Sequence, residues 1–240
     1  MGGFVSSLGN GLLGLLFPRT CALCREDVPS ASDPVCGRCL DTFPRWNGLQ
    51  CRVCGLPLPD GGARCLACRR ERPSFRFCRS AGVYAGGLRA CLIQFKYEGK
   101  EALARPLARW MAEGWRTRPE LAPAEVILPV PLHFLRRQWR GYNQSALLAT
   151  FFGKSVGLPV VEGVLSRRRW GRSQTRLSRE ERKKNVEKAF VVRRPEGVKG
   201  RRVLLIDDVC TTGATLDACA QVVRAAGARW VAAFTVARRV

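Results

Sequence analysis

Apolar residues fall into two regimes along this chain. From residue 77 onward, short continuous apolar runs alternate with stretches in which apolar positions recur every three or four residues. The runs Glu125–Val130 and Arg202–Ile206 read as buried strands, the second of the kind found in parallel sheets, and Phe77–Tyr84, Ala189–Val192 and Trp230–Val236 read as further strands. The helical period predicts helices over Leu88–Tyr97, Glu101–Trp115, Gly141–Val156 and Leu216–Ala226. Leu103, Leu107, Trp110 and Met111 share one face of the second helix, and Leu147, Leu148 and Phe151 point inward from the third. Pro119–Pro123 reads as a turn, and Pro129 and Pro131 end the second strand. Strands alternating with helices predict an α/β fold, a mainly parallel sheet flanked by helices over residues 77–240.

The pattern before residue 77 is different. Residues 1–19 form a short apolar segment, Phe4–Phe17, broken by Gly9, Gly11 and Gly14; a short helix packed on the body is expected. Residues 20–76 hold four C-x-x-C pairs at nearly equal gaps: Cys21/Cys24, Cys36/Cys39, Cys51/Cys54 and Cys65/Cys68. Each pair offers two thiolates to one metal from a tight knuckle, and two pairs complete a tetrahedral shell, so eight ligands predict two Zn²⁺. Consecutive pairing makes two ribbons and alternating pairing a cross-brace; consecutive ribbons are expected. A disulfide framework would need an oxidising compartment, and no charged secretory n-region precedes Arg19. Large apolar residues are too few between Thr20 and Arg72 for an independent core, so metal is expected to hold this region folded. The remaining cysteines, Cys78, Cys91, Cys210 and Cys219, lack ligand spacing and read as buried thiols.

Local chemistry concentrates at Val203–Thr215. Four apolar residues run into Asp207-Asp208, then into the small-residue turn Thr211-Thr212-Gly213-Ala214-Thr215 and a helix. Gly213 permits a positive φ or close backbone approach, and the helix N-terminus behind it suits a phosphate. Carboxylates would repel that phosphate, so Asp207 and Asp208 must face another part of the ligand. Ribose hydroxyls, reached directly or through Mg²⁺, fit them. In open α/β sheets such ligands bind at the carboxyl ends of strands.

Charge widens the picture. The chain of 240 residues carries 41 Lys and Arg against 19 Asp and Glu, a net charge of +22. Basic clusters at Arg136–Arg140, Arg167–Arg172, Arg179–Lys184 and Lys199–Arg202, with Trp139 and Trp170 inside two of them, suit single-stranded nucleic acid through phosphate pairing and stacking. A plain basic surface, or charge serving a polyphosphorylated ligand, accounts for the same residues. No apolar run reaches membrane-spanning length, and the cytoplasm is the expected location. His133, the only histidine, lacks an obvious partner, while Lys96 either meets phosphate or ends a helix.

The segment Asp207–Thr215 resembles the phosphoribosyl pyrophosphate (PRPP) motif of type I phosphoribosyltransferases. The whole chain resembles the ComF family, a double zinc ribbon joined to a phosphoribosyltransferase domain and linked to DNA uptake in natural transformation. The resemblance is carried by the paired C-x-x-C region, Pro129-Val130-Pro131-Leu132-His133, Arg140-Gly141-Tyr142-Asn143-Gln144, and a tract holding Arg169, Gln174, Leu177, Arg182, Asn185 and Phe190. It implies that Asp207 and Asp208 bind the ribose hydroxyls of PRPP and that Thr211–Thr215 hold its 5′-phosphate. It further implies a pyrophosphate loop at Pro129–Leu132 that includes Val130, a phosphate clamp at Arg140, and a hood over Arg169–Asn185. Pro129 and Pro131 cannot donate. Thr211 stands where members acting on 6-oxopurines carry an acidic base, so no general base for an acceptor is visible. Two functions follow. One is phosphoribosyl transfer from PRPP·Mg²⁺ to an unknown acceptor. The other is single-stranded nucleic-acid handling, with PRPP as a regulatory or relic ligand and competence-machinery proteins as partners.

Overall fold

The computed structural model describes residues 20–29, 33–132, 138, 140–167 and 189–240. The expectations for Phe4–Phe17, His133, Arg136–Arg137, Trp139, Trp170 and the tract Arg169–Asn185 lie outside the described residues. Among those described, six strands form: β1 (Cys78–Val83), β2 (Val126–Pro129), β3 (Leu165–Arg167), β4 (Phe190–Val192), β5 (Arg202–Cys210) and β6 (Trp230–Arg238). The helices are α1 (Gly37–Asp41), α2 (Leu66–Arg70), α3 (Gly86–Tyr97), α4 (Ala104–Arg116), α5 (Gln144–Val156) and α6 (Ala214–Ala225).

The main sheet has the order β1-β6-β5-β2 with every pair parallel, and a parallel bridge from Ile127 to Val160 extends it past β2. Side chains alternate across β5 as pleating requires. Leu204 and Ile206 enter one core with α3, α4 and α5; Val203 and Leu205 enter the other with α6, β3 and β4. Leu103, Leu107, Trp110 and Met111 are all buried, as their spacing predicts. In α5 the inward face is set by Leu148 and Phe152, while Leu147 and Phe151 are half-buried and Arg105 lies over the Phe151 ring at 5.6 Å. That helix begins three residues later than its apolar pattern suggests. Gly141 has φ 82°, and Asn143 caps the helix, its Oδ1 accepting from Ser145 N–H at 3.1 Å.

Other boundaries also shift. Glu101–Leu103 and Pro119–Leu121 are 3₁₀ turns, and β5 continues to Cys210 rather than stopping at Ile206. The strand β3 has no sequence signal of its own; it pairs antiparallel with β4 as a small separate sheet.

The two ribbons repeat one design. Each has an antiparallel bridge around its first knuckle, Thr20 to Asp27 and Gln50 to Pro57, and a one-turn helix that starts immediately after the third cysteine. They straddle the free edge of the sheet. Cys21, Val28, Val35 and Phe43 pack into the core under α3 and α4, whereas Cys51, Val53, Cys65 and Phe75 pack into the opposite core. Between them the chain crosses β1: Val83 N–H donates to Pro44 O and Cys78 N–H to Val53 O, each at 2.8 Å. Gly82 makes that crossing possible, since a Cβ there would strike Pro44 O and the Trp110 ring. The ribbons thus lack a core of their own, as expected, but they complete both cores of the body.

Candidate ligand site

Because β5 runs to Cys210, Asp207 and Asp208 sit inside the strand, Asp207 level with Thr235 of β6. Asp207 Oδ1 accepts from Ser145 Oγ at 2.7 Å and from Asp208 N–H at 2.9 Å. Asp208 is 4% exposed; its Oδ1 pairs with Lys96 Nζ at 2.7 Å, and its Oδ2 is buried with no partner among the described residues. Burial first, and the Asp208 charge second, push the Asp207 carboxyl up from 3.8 to about 7, against the pull of Ser145 and Lys96. Lys96 is paired with Asp208 Oδ1 only, and the two adjacent carboxylates form a donor set that fits a divalent metal carried in with a ligand.

The turn after β5 has the geometry its residues demand. Gly213 has φ 83° at the N-cap of α6, a conformation that side chains other than glycine rarely adopt. Thr211 and Thr212 are exposed on the turn, and Thr212 Oγ1 accepts weakly from Ala214 N–H at 3.4 Å. Thr215 faces the same cleft as the two acids. The turn is backed by the segment after the second ribbon, where Ser74 N–H donates to Asp217 Oδ1 at 2.6 Å in the first turn of α6.

Across the cleft stand Val130, Pro131, Arg140 and Gln144. Val130 does not offer the donor that a pyrophosphate loop requires. Its N–H is spent on Ile206 O at 2.9 Å, and its carbonyl accepts from Asn143 Nδ2 at 3.3 Å. Val130 is therefore a wall residue, because the sheet claims its N–H one residue beyond β2. Arg140 lies over the Tyr97 ring at 5.3 Å, and its Nε and Nη1 are buried without partners among the described residues, as is Gln144 Oε1. Arg167 at the end of β3 joins the same wall and lies over the Phe190 ring at 5.4 Å. The Tyr142 hydroxyl donates to Phe95 O, which fixes the end of α3 that carries Lys96.

The structure therefore gathers Asp207, Asp208, Thr215, Val130 and Arg140 at one cleft. It leaves Thr211 and Thr212 on the exposed turn and Gly213 behind it. Sequence reasoning missed Ser145 and Arg167 as site residues and left Lys96 between two roles; the structure pairs Lys96 with Asp208. Guanidinium groups, a helix N-terminus and an acidic pair with one unpaired buried oxygen among the described residues, all in one cleft, suit a phosphorylated ligand that also brings hydroxyls or a cation.

The cysteines resolve into two tetrads, Cys21, Cys24, Cys36, Cys39 and Cys51, Cys54, Cys65, Cys68, with all Sγ atoms of each within 4.8 Å of one another. Consecutive pairs thus share a centre. Zinc–sulfur bonds of about 2.3 Å in a tetrahedron place sulfurs roughly 3.8 Å apart. The Cys24–Cys36 and Cys54–Cys65 sulfur separations are 3.7 and 3.6 Å. Burial raises Cys21, yet backbone N–H donors of the knuckle outweigh it and hold the thiol near 6; Cys51 is at about 6 for the same reasons. Both tetrads fit structural zinc. Cys78, Cys91, Cys210 and Cys219 are buried, as expected, and Cys78 Sγ lies 3.8 Å from Cys210 Sγ.

Residues 12–69 match the double zinc ribbon domain, and residues 122–240 match the phosphoribosyl transferase domain. Competence protein F of Haemophilus influenzae is 30% identical over 227 residues, covering 91% of this chain and 96% of that protein. The DNA utilization protein YhgH of Escherichia coli K12 is 30% identical over 229 residues, covering 93% and 99%. Competence protein ComFC of Bacillus subtilis is 27% identical, covering 86% and 85%. Among solved structures, the glutamine PRPP amidotransferase of B. subtilis matches at 22% identity and a TM-score of 0.38, covering 55% of this chain and 25% of that one. The fold is a parallel phosphoribosyltransferase-type sheet behind a double zinc ribbon. No helix among the described residues is long and apolar enough to cross a membrane.

Proposed function

The chain belongs to the ComF family of competence and DNA-utilisation proteins, and from that premise we propose that its cleft binds PRPP with Mg²⁺ for phosphoribosyl transfer in the handling of incoming DNA in the cytoplasm. The observation that carries this reading is the coexistence, in one cleft, of an Asp208 oxygen and Arg140 N–H groups that have no partner among the described residues. A ligand satisfying both must be anionic at one end and offer hydroxyls or a cation at the other. PRPP·Mg²⁺ does so. Asp207 and Asp208 take the ribose hydroxyls, and the Gly213–Thr215 amides with the Thr211 and Thr212 hydroxyls take the 5′-phosphate. Arg140 faces the pyrophosphate, and Val130 shapes the wall without donating. Mg²⁺ would offset the charge of the departing pyrophosphate. Thr211 offers no base, so this chain's own contribution is positioning and charge complementarity around the breaking anomeric C–O bond. Calorimetry tests the site: Mg²⁺-dependent PRPP binding lost in Asp207→Asn/Asp208→Asn is expected, and equal affinity in both proteins rejects the assignment.

A second reading draws on the charge. The second ribbon and the segment that follows it expose Arg52, Arg64, Arg69, Arg70, Arg72 and Arg76, within a chain of net charge +22. Such a face suits the phosphates of single-stranded DNA, with PRPP as a regulatory ligand. It requires binding that weakens steeply with salt; salt-independent binding rejects it.

A further inference from the structure

The two ribbons are alike in design but not in setting. All four cysteines of the second tetrad are buried, whereas Cys24 of the first is exposed. The first knuckle receives a hydrogen bond from Gln94 Nε2 to Ala22 O at 3.0 Å. Two buried arginines of the sheet grip the second knuckle. Arg79 Nη2 donates to Arg52 O at 3.0 Å. Arg238, 5% exposed, donates through Nη1 to Cys54 O at 2.7 Å, and its Nη2 lies 3.9 Å from Cys54 Sγ. The same Nη1 donates to Cys210 Sγ at 3.0 Å. Cys210 is the last residue of β5 and leads directly into the Thr211–Thr215 turn.

The planar guanidinium thus spans two places that the chain separates widely: a metal ligand of the second ribbon and the root of the turn. Four thiolates around Zn²⁺ leave a net negative charge, and burial makes an adjacent fixed cation valuable. The Phe75 ring, which follows the second ribbon, stands so close to the turn that a Cβ placed on Gly213 would lie 3.9 Å from it, and Ser74 N–H holds Asp217 in the first turn of α6. No comparable path joins the first tetrad to the turn among the described residues.

We propose that Arg238 is a positioning residue that ties the second zinc tetrad to the phosphate turn, so that the turn keeps its shape only while that tetrad is loaded. The first zinc serves the opposite core and leaves the turn alone. Only the ligand arm of the test rests on the PRPP reading.

The test uses the full zinc-loaded chain and three readouts: zinc release to a chromogenic chelator, hydrogen exchange of residues 209–217 by mass spectrometry, and PRPP affinity by calorimetry. In the wild type, the first zinc equivalent should leave without changing exchange at the turn, and loss of the second should accelerate it. Arg238→Gln should release its second zinc faster, exchange faster at the turn and bind PRPP about tenfold more weakly, the scale of one lost charged hydrogen bond. Arg238→Lys should restore part of each effect, and Gln94→Ala should alter only release of the first zinc. Wild-type exchange at the turn in Arg238→Gln, or an unchanged turn after both zincs leave, overturns the proposal. If Arg238→Gln fails to fold, staged chelation of the wild type decides the matter. If the wild type binds no PRPP while the zinc and exchange arms behave as stated, the ligand reading fails and the link stands.

Discussion

Replacing Asp207 with Asn should stabilise the ligand-free protein, and only on the alkaline side. Asp207 Oδ1 accepts from Ser145 Oγ and Asp208 N–H, and an asparagine keeps that acceptor in place. What it removes is a charge that burial and Asp208 both disfavour, a cost expressed as a carboxyl raised from 3.8 to about 7. The native chain therefore binds this proton more tightly than the unfolded chain does. Stability contributed by the proton is present at low pH, declines as pH rises from about 4 to about 7, and is absent above that. Between pH 6 and pH 8, with zinc kept bound, a folded-state value near 7 corresponds to a loss of about 1.4 kcal/mol. Urea unfolding followed by circular dichroism on zinc-loaded wild type and Asp207→Asn measures it. The stability difference between the two should widen by about that amount over the interval, in favour of the variant. A difference that stays flat from pH 6 to pH 8 refutes the reasoning and means that Asp207 is already ionised with a compensating partner.

Three further outcomes are expected. Lys96→Met leaves Asp208 buried with neither oxygen paired, which should cost about 3 kcal/mol in urea unfolding, and adding Asp208→Asn should recover most of that loss. Gly213→Ala meets no clash, with Cys210 Sγ the nearest atom at 3.8 Å, so its cost should be the backbone strain of φ 83°, about 1–2 kcal/mol, accompanied by weaker PRPP binding in calorimetry. Gly153→Ala would set a Cβ 2.7 Å from Val160 Cγ2 and 2.8 Å from Leu158 O, so thermal unfolding should show a loss of about 1–3 kcal/mol with ligand affinity unchanged.

The chemistry that was local in sequence was legible, and the chemistry made by folding was not. Asp207, Asp208 and the glycine turn sit within nine residues of one another, so their strand-to-helix context could be read directly. The cysteine tetrads are equally local, so four C-x-x-C pairs announced two metal centres, but which pairs share a centre came from the fold, which brings consecutive pairs together. Ser145 and Lys96 come from α5 and α3, and only the packing of those helices on β5 brings them to the acids. In α5 the adjacent pairs Leu147-Leu148 and Phe151-Phe152 left the inward face open to two registers, and packing buries Leu148 and Phe152. The strand β3 is three residues ending at an arginine, too short and too polar to leave a period. The reach of Arg238 to Cys54 spans 184 positions, which no local pattern encodes.

The crossing of the ribbon chain over β1 has a consequence for the behaviour of the protein in a crowded solution. β1 is the outermost strand of the sheet, and Pro44 O and Val53 O occupy its outward N–H groups at Val83 and Cys78. Those carbonyls belong to segments that the zinc knuckles hold in place. When the metal goes, the border of the sheet is uncovered together with apolar residues from both faces, and a bare border strand is a template for a second chain. Chelation of zinc is therefore expected to raise light scattering from a concentrated solution of this protein, and scattering that stays unchanged after both zincs leave refutes this consequence.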